Sequence, residues 1–240
     1  MNLETEREKE IIYQQILEKQ QALKKAWEAE EKNYLMGKFD PSARGDFVPV
    51  PEEYNVSGYK TYLRKETLEA FLKMREAASL SGVELNIASA TRNFNYQKKL
   101  WNDKWSIKDN FDGLEKFKEI LEWSAAPGTS RHHFGTDIDI NNVNPPYFDS
   151  QKGEKEYNWL VTNASQFGFC QTYNLKGNNR PTGYNEEKWH WSYLPLARNF
   201  TQEYKDLITE EDIKGFLGDE YVAGQNLINN YVLSINSECL

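Results

Sequence analysis

The chain has only three histidines, and all of them lie in two short, aromatic-rich segments. Ser130–Asp139 contains His132 and His133, whereas Glu187–Trp191 contains His190. Histidines that merely fill a core would not be expected to concentrate in this way. Three histidines and two cysteines are too few for a cysteine zinc finger, an iron–sulfur cluster or a disulfide scaffold. They suffice for a single mononuclear metal site, which a fold of this chain would have to assemble from both segments.

The first segment ends in an alternating pattern that places two carboxylates on one side of a strand. Asp137 and Asp139 alternate with two isoleucines, so both carboxylates face the same way, where a histidine just upstream can join them. His132, Asp139 and His190 satisfy the set of two histidines and one carboxylate that holds catalytic zinc with an open fourth position. Three residues before His190, Glu187 is placed to act as a general base without ligating the metal.

Composition excludes several classes of function. The 29 lysines and arginines against 37 aspartates and glutamates give a net charge of −8, which would repel nucleic acid and anionic lipid. No segment approaches the roughly 20 apolar residues that cross a membrane. No apolar stretch followed by a cleavage site comes after Met1, so we expect either a cytoplasmic protein or one whose secretion signal has been removed.

The periodicity of apolar residues predicts an α+β fold: a small antiparallel sheet carrying the metal site, flanked by helices, with extra helices at both ends. The domain division that we expect is a helical extension over 1–40, a domain over 41–200 that carries the metal site, and a C-terminal helical extension over 201–240 packed on the same domain. The predicted helices are 65–79, 96–105, 114–123, 156–167, 212–216 and 221–235, and the predicted strands are 83–89, 136–140, 169–173 and 189–193.

The start of the chain, from Met1 to about Asn33, is predicted to be an amphipathic helix. Its apolar residues recur at helical spacings and form one stripe. We expect this stripe to pack on the domain; the alternative is a coiled coil with a partner, although the repeat is short for several heptads. The residues of the stripe are Ile12, Ile16, Leu23 and Trp27.

Three motifs, in order along the chain, resemble those of the VanY-type D-alanyl-D-alanine carboxypeptidases. Ser130, His132, Gly135 and Asp139 match Ser-x-His-x-x-Gly-x-x-x-Asp, and Glu187-x-x-His190 followed by Trp191 matches the family's Glu-x-x-His segment. Ser89–Gln97 looks like a third segment, with Arg92 and Gln97 in matching places. The runs Pro-Gly-Thr-Ser-Arg-His-His and Gly-Phe-Cys-Gln-Thr-Tyr look like a subgroup typical of Bacteroidetes.

The resemblance implies roles for further residues. Arg92 would stabilise the oxyanion, and Ser130 and Gln97 would hold the peptide. One departure is Asp137, where the family usually has alanine; it would either accept a hydrogen bond from a ligand histidine or compete as a ligand. His133 is adjacent to the matching ligand and is expected to be a structural or pocket-rim histidine.

The resemblance implies a zinc peptidase of the hedgehog-like fold that removes a terminal D-alanine from peptidoglycan stem peptides, with Zn²⁺ as the cofactor. The alternatives are an L,D-carboxypeptidase, a D,D-dipeptidase or an endopeptidase on the same scaffold, or a noncatalytic cell-wall-binding module. Such a substrate implies export to the periplasm or cell envelope. In an exported protein Cys170 and Cys239 would be bridged, whereas in the cytosol both would be reduced.

Overall fold

Among residues 3–108 and 110–240, which the computed structural model describes, six short strands form two antiparallel sheets. A two-stranded sheet pairs β1 with β2, and a four-stranded sheet has the order β3-β4-β6-β5. Six α-helices surround the sheets, which confirms the predicted α+β class. The strands are β1 (Phe47–Pro49), β2 (Tyr62–Arg64), β3 (Ile87–Ser89), β4 (Asp137–Ile140), β5 (Phe169–Gln171) and β6 (His190–Tyr193). The helices are α1 (Leu3–Leu35), α2 (Lys65–Leu80), α3 (Phe94–Ile107), α4 (Gly113–Leu121), α5 (Gln151–Asn163) and α6 (Leu194–Leu207).

Side-chain caps fix where three of the helices begin. Asn93 accepts a hydrogen bond from the backbone of Tyr96 at the start of α3, and Asp112 and Ser150 do the same for α4 and α5. Each cap satisfies one of the backbone N–H groups that a helix leaves unpaired in its first turn. Asn93, the cap of α3, directly follows Arg92 in the chain.

The apolar side of the four-stranded sheet packs against α2 and α5. Ile138 from β4 and Trp191 from β6 are buried there with Phe71, Met74 and Leu160. Because side chains alternate along a strand, this packing turns Asp137, Asp139, His190 and Ser192 to the opposite side. A second apolar cluster joins α3, α4 and α6 to the C-terminal residues, including Trp101, Phe117, Tyr204 and Val232.

The N-terminal helix forms as predicted, but its apolar stripe does not pack on the domain. Ile12, Ile16, Leu23 and Trp27 are between 49% and 62% exposed. The end of α1 is anchored by the buried Leu35 and by Lys32, whose Nζ atom lies 2.7 Å from Asp212 Oδ2. No helix among the described residues is both long and apolar enough to cross a membrane.

The C-terminal region differs from the predicted pair of helices. The regular helix there is α6, which the sequence did not reveal, and the residues predicted as helices at 212–216 and 221–235 form only single turns. Gly224 and Asn226 have positive φ angles of 83° and 51°, which interrupt a right-handed helix within the second predicted range. Burial of Val232 and Ile235 in the second apolar cluster explains the apolar spacing that suggested a helix.

A disulfide joins Cys170 in β5 to Cys239 near the end of the chain and closes a loop with a sequence separation of 69. A cross-link of this length stabilises the folded state mainly by restricting the unfolded chain, by about 4 kcal/mol in the loop-entropy model. We therefore expect the double variant Cys170→Ser/Cys239→Ser to lose free energy of unfolding of about that size in urea denaturation. A reducing agent should shift the wild type similarly and leave the double variant unchanged; equal stability of both oxidised proteins would contradict this.

Candidate active site

The pairing of β4 with β6 brings the two histidine-bearing segments together. Asp139 lies opposite His190 and Asp137 lies opposite Ser192 in the antiparallel register. All four side chains project from the face of the sheet that does not pack on α2 and α5. The histidine on β6 is thereby placed between two carboxylates of β4.

His132 reaches the same point from a short helical turn, Arg131–Phe134, which precedes β4. Gly135 ends this turn with a φ of 72°, and a Cβ atom there would lie 2.4 Å from the Phe47 ring, which explains why the motif has glycine. The Nδ1 atom of His132 lies 2.8 Å from the carbonyl oxygen of Ala90 and donates to it in the neutral tautomer. Its Nε2 atom, left free to ligate, lies 3.3 Å from Asp139 Oδ2.

His132, Asp139 and His190 form a buried cluster whose ligand atoms all lie within 4.8 Å of one another. His190 Nδ1 lies 3.1 Å from Asp139 Oδ1. His132 Nε2 and Asp139 Oδ1 are both buried and have no hydrogen-bond partner. Buried polar atoms normally have a hydrogen-bond partner. Nitrogen and oxygen atoms that converge without one can instead ligate a divalent cation such as zinc.

Asp137 contacts the opposite side of the His190 ring. Its Oδ1 atom lies 3.0 Å from His190 Nε2 and accepts a hydrogen bond of 3.1 Å from Arg131 Nε, while Thr136 and Ser192 donate to Oδ2. Burial alone would raise the pKa of Asp137, but Arg131 and the His190 hydrogen bond hold it well below its usual range. An ionised Asp137 holds the proton of the His190 ring on Nε2 and leaves His190 Nδ1 free for the cation.

Glu187 lies beside the three ligand candidates. Its Oε2 atom is 3.4 Å from His190 Nδ1, and the side chain borders the cavities described below. Burial raises the pKa of the Glu187 carboxyl to about 7, although the nearby His190 opposes the rise. A carboxyl group with this pKa can both accept and release a proton near neutral pH.

Two adjoining cavities open at this cluster. The outer groove has a volume of about 630 Å³ and is bordered by Asp139. The inner cavity, of about 90 Å³, is bordered by His132, His190 and Ser130. Five residues border both cavities and mark the junction between them: Arg92, Leu100, Lys104, Trp123 and Glu187.

Arg92 and Gln97, the other two candidate residues, differ in whether they border these cavities. Arg92 lies at the junction, and its Nε atom is buried without a hydrogen-bond partner. Gln97 is not among the residues that border either cavity. Its buried amide donates instead to the carbonyl oxygen of Ala125, at 2.7 Å, and Ala125 borders the inner cavity.

His133 belongs to the framework of the site. Its Nδ1 atom lies 2.6 Å from the carbonyl oxygen of Arg92, and its Nε2 atom accepts a hydrogen bond from the backbone of Gly128. Burial lowers the pKa of His133 to about 3, so the ring is neutral at physiological pH. The side chain thereby ties the segment that carries Arg92 to the loop before His132.

Sequence reasoning missed several residues of the cavity walls. Lys104 on α3 and Trp123 after α4 border both cavities, although both lie outside the three motifs. In the strand predicted over 189–193, Trp189 would face away from His190, yet it borders the outer groove and stacks on Trp123 with ring centroids 6.2 Å apart. β6 begins only at His190, so the alternation of a strand does not apply to Trp189.

The chain has relatives among known proteins. "Putative carboxypeptidase YodJ" of Bacillus subtilis (strain 168) is 30% identical over 74% of this chain and 62% of its own length. A D-alanyl-D-alanine carboxypeptidase of Enterococcus faecalis (strain ATCC 700802 / V583) is 27% identical over 68% of this chain and 61% of its own. The chain thus spans about three fifths of the length of these relatives.

The fold has a counterpart among solved structures. A structure of the LdcB LD-carboxypeptidase, described with its peptidoglycan recognition, superposes with a TM-score of 0.53 and 26% identity, over 73% of this chain and 79% of the other. The model of the VanY family, D-alanyl-D-alanine carboxypeptidase, matches residues 60–196, which is more than half of the chain. This match confirms the resemblance carried by the three motifs, and the chain belongs to the VanY D-alanyl-D-alanine carboxypeptidase family.

Proposed function

We propose that this protein is a zinc-dependent carboxypeptidase that removes a terminal D-alanine from peptidoglycan stem peptides. The observation that carries the proposal is the buried cluster of His132, Asp139 and His190 with Glu187 beside it, at the junction of a long groove and a small cavity. Membership of the VanY family supports the reaction and the class of substrate.

Zinc would be held by His132 Nε2, the Asp139 carboxylate and His190 Nδ1. When bound, it lowers the pKa of a water molecule and polarises a carbonyl oxygen. Asp137 supports this arrangement because it accepts a hydrogen bond from His190 on the side away from the cluster. We assign Asp137 to orienting His190 rather than to ligation, since its two oxygens are already engaged by Arg131, Thr136 and Ser192.

Glu187 is the general base of the proposed mechanism. Its carboxylate takes a proton from the attacking water and then passes it to the departing amine of the terminal residue. The unpartnered Arg92 at the junction is assigned to the oxyanion that forms as the carbonyl is attacked.

Ser130 and Gln97 are assigned to holding the peptide in different ways. Ser130 borders the inner cavity and caps no backbone group with its side chain, which supports assigning its hydroxyl to the substrate. Gln97 would act indirectly, through the Ala125 carbonyl that it holds in the wall of the same cavity.

An L,D-carboxypeptidase is the second candidate, because the LdcB LD-carboxypeptidase superposes on this chain. The two reactions differ in the stereochemistry of the residue before the scissile bond. A D,D-dipeptidase would differ in acting on a free dipeptide, and an endopeptidase in cleaving an internal bond. A noncatalytic binding module would be expected to lack the base or a ligand, and this chain has all four residues.

Export to the periplasm or cell envelope forms part of the proposal, as does a peptidase domain over 41–200. The Cys170–Cys239 disulfide supports an oxidising compartment, since such bonds seldom persist in a reducing cytosol. The family model lies within the proposed domain, and α1 lies outside it.

The test is to incubate the purified protein with defined stem tri-, tetra- and pentapeptides and to weigh the products, with and without a metal chelator. We expect release of D-alanine from the pentapeptide, loss of activity with the chelator and recovery on adding zinc. Release from the tetrapeptide would indicate the L,D reaction. Hydrolysis that persists without metal, or no stoichiometric zinc in the active protein, would overturn the metallopeptidase assignment.

A further inference from the structure

The junction between the two cavities carries two cationic side chains, of which the proposed mechanism uses only Arg92. Arg92 and Lys104 both border the outer groove and the inner cavity. Within the described part of the chain, neither side chain makes a hydrogen bond or a close ion pair with a protein group. Placing two partly desolvated cations side by side is unfavourable unless an anion joins them.

The pKa of Lys104 also indicates that this position lacks a compensating negative charge. Burial, together with the charge of Arg92, lowers the pKa of the Lys104 ammonium, and Glu187 only partly offsets this. Glu187 itself must remain available for proton transfer in the proposed mechanism. The site is therefore built to receive a negative group from outside the protein at the position of Lys104.

The size of the inner cavity limits the size of the ligand residue that carries this negative group. The inner cavity has a volume of only about 90 Å³, which suits a small residue. The outer groove is about seven times larger and suits the rest of a peptide. A peptide crossing the junction would thus place its small last residue in the inner cavity.

We propose that Lys104 anchors the free α-carboxylate of the peptide's last residue, and so makes the enzyme release single C-terminal residues. This inference rests on the proposed peptidase function and deepens it. The carboxylate is attached to the same carbon as the departing amine, and Lys104 borders the same junction as Glu187, the proton donor to that amine. An internal peptide bond has no such carboxylate and would leave the Lys104 ammonium unpaired.

The test compares Lys104→Met with wild type on Nα,Nε-diacetyl-L-Lys-D-Ala-D-Ala and Nα,Nε-diacetyl-L-Lys-D-Ala, each as the free acid and as the C-terminal amide. We expect the wild type to prefer the acid, and the variant to lose about 10- to 100-fold of that preference, mainly through KM. Hydrolysis of the amide should be nearly unchanged and reports that the variant is folded. Lys98→Met, on the same helix, removes the same charge away from both cavities and should behave as wild type.

Inhibition by the products gives a second readout. Free D-alanine should inhibit the wild type more strongly than it inhibits Lys104→Met, whereas D-alaninamide should inhibit both alike. An equal loss on acid and amide would overturn the anchoring role and indicate that Lys104 contacts another carboxylate of the stem or supports the fold. A wild type that cleaves none of the four peptides would instead overturn the proposed function, and the anchor with it.

Discussion

Glu187→Gln is expected to lower kcat by about 10²- to 10⁴-fold while the protein keeps its full complement of zinc. Glutamine has nearly the same shape as glutamate but cannot take a proton from water or deliver one to the departing amine. The ligand atoms of His132, Asp139 and His190 converge without any contribution from Glu187, so metal binding should survive the substitution. Steady-state kinetics on the cleaved stem peptide, with metal content from elemental analysis, measure both quantities.

Glu186→Gln is the matched control for this variant. It removes one carboxylate from the neighbouring position, and Glu186 does not border either cavity. The control should retain nearly wild-type kcat and zinc. A Glu187→Gln protein that turns over at a near wild-type rate would remove Glu187 as the base, and one that loses zinc would make it a ligand instead.

The ligand candidates could be found from the sequence because strand alternation and strand pairing bring them together, and both follow simple rules. Asp137 and Asp139 share a face of β4 through the two-residue period of a strand, and antiparallel pairing with β6 completes the site. The sequence also narrowed the role of Asp137 to two alternatives. It could not choose between them, since the choice depends on the buried Arg131, which reaches Asp137 only after the turn before β4 has formed.

The position of Lys104 and the exposure of the α1 stripe could not be predicted from the spacing of apolar residues, because both depend on how the helices pack. Lys104 lies in the third turn of α3, and only the position of that helix beside the loop at 122–130 brings it to the cavities. The apolar stripe of α1 suggested burial by its spacing, yet Ile12 and Trp27 are exposed, since no other element of the described residues covers that part of the helix. A hydrophobic pattern predicts a helical face but not what lies against it.

The second large effect is expected from Arg131→Met, which should lower the free energy of unfolding by about 3–5 kcal/mol. Arg131 is 1% exposed, and its guanidinium donates to Asp137, Ser192 and Thr201 at 2.7–3.1 Å. Removing it leaves the Asp137 carboxylate buried without its main counter-charge. Urea denaturation of the metal-free protein measures the loss, and Arg198→Met, an exposed arginine on α6, should change stability by less than about 0.5 kcal/mol.

A double variant separates the cost of the orphaned charge from the cost of lost packing. In Arg131→Met/Asp137→Ala no buried carboxylate is left without its counter-charge. The double variant should therefore lose less free energy of unfolding than the sum of the two single losses. Asp137→Ala alone should also weaken zinc binding by about 10- to 100-fold, because His190 loses the acceptor that orients its ring. Strictly additive losses, together with unchanged zinc affinity, would mean that Arg131 and Asp137 pack independently of each other and of the metal site.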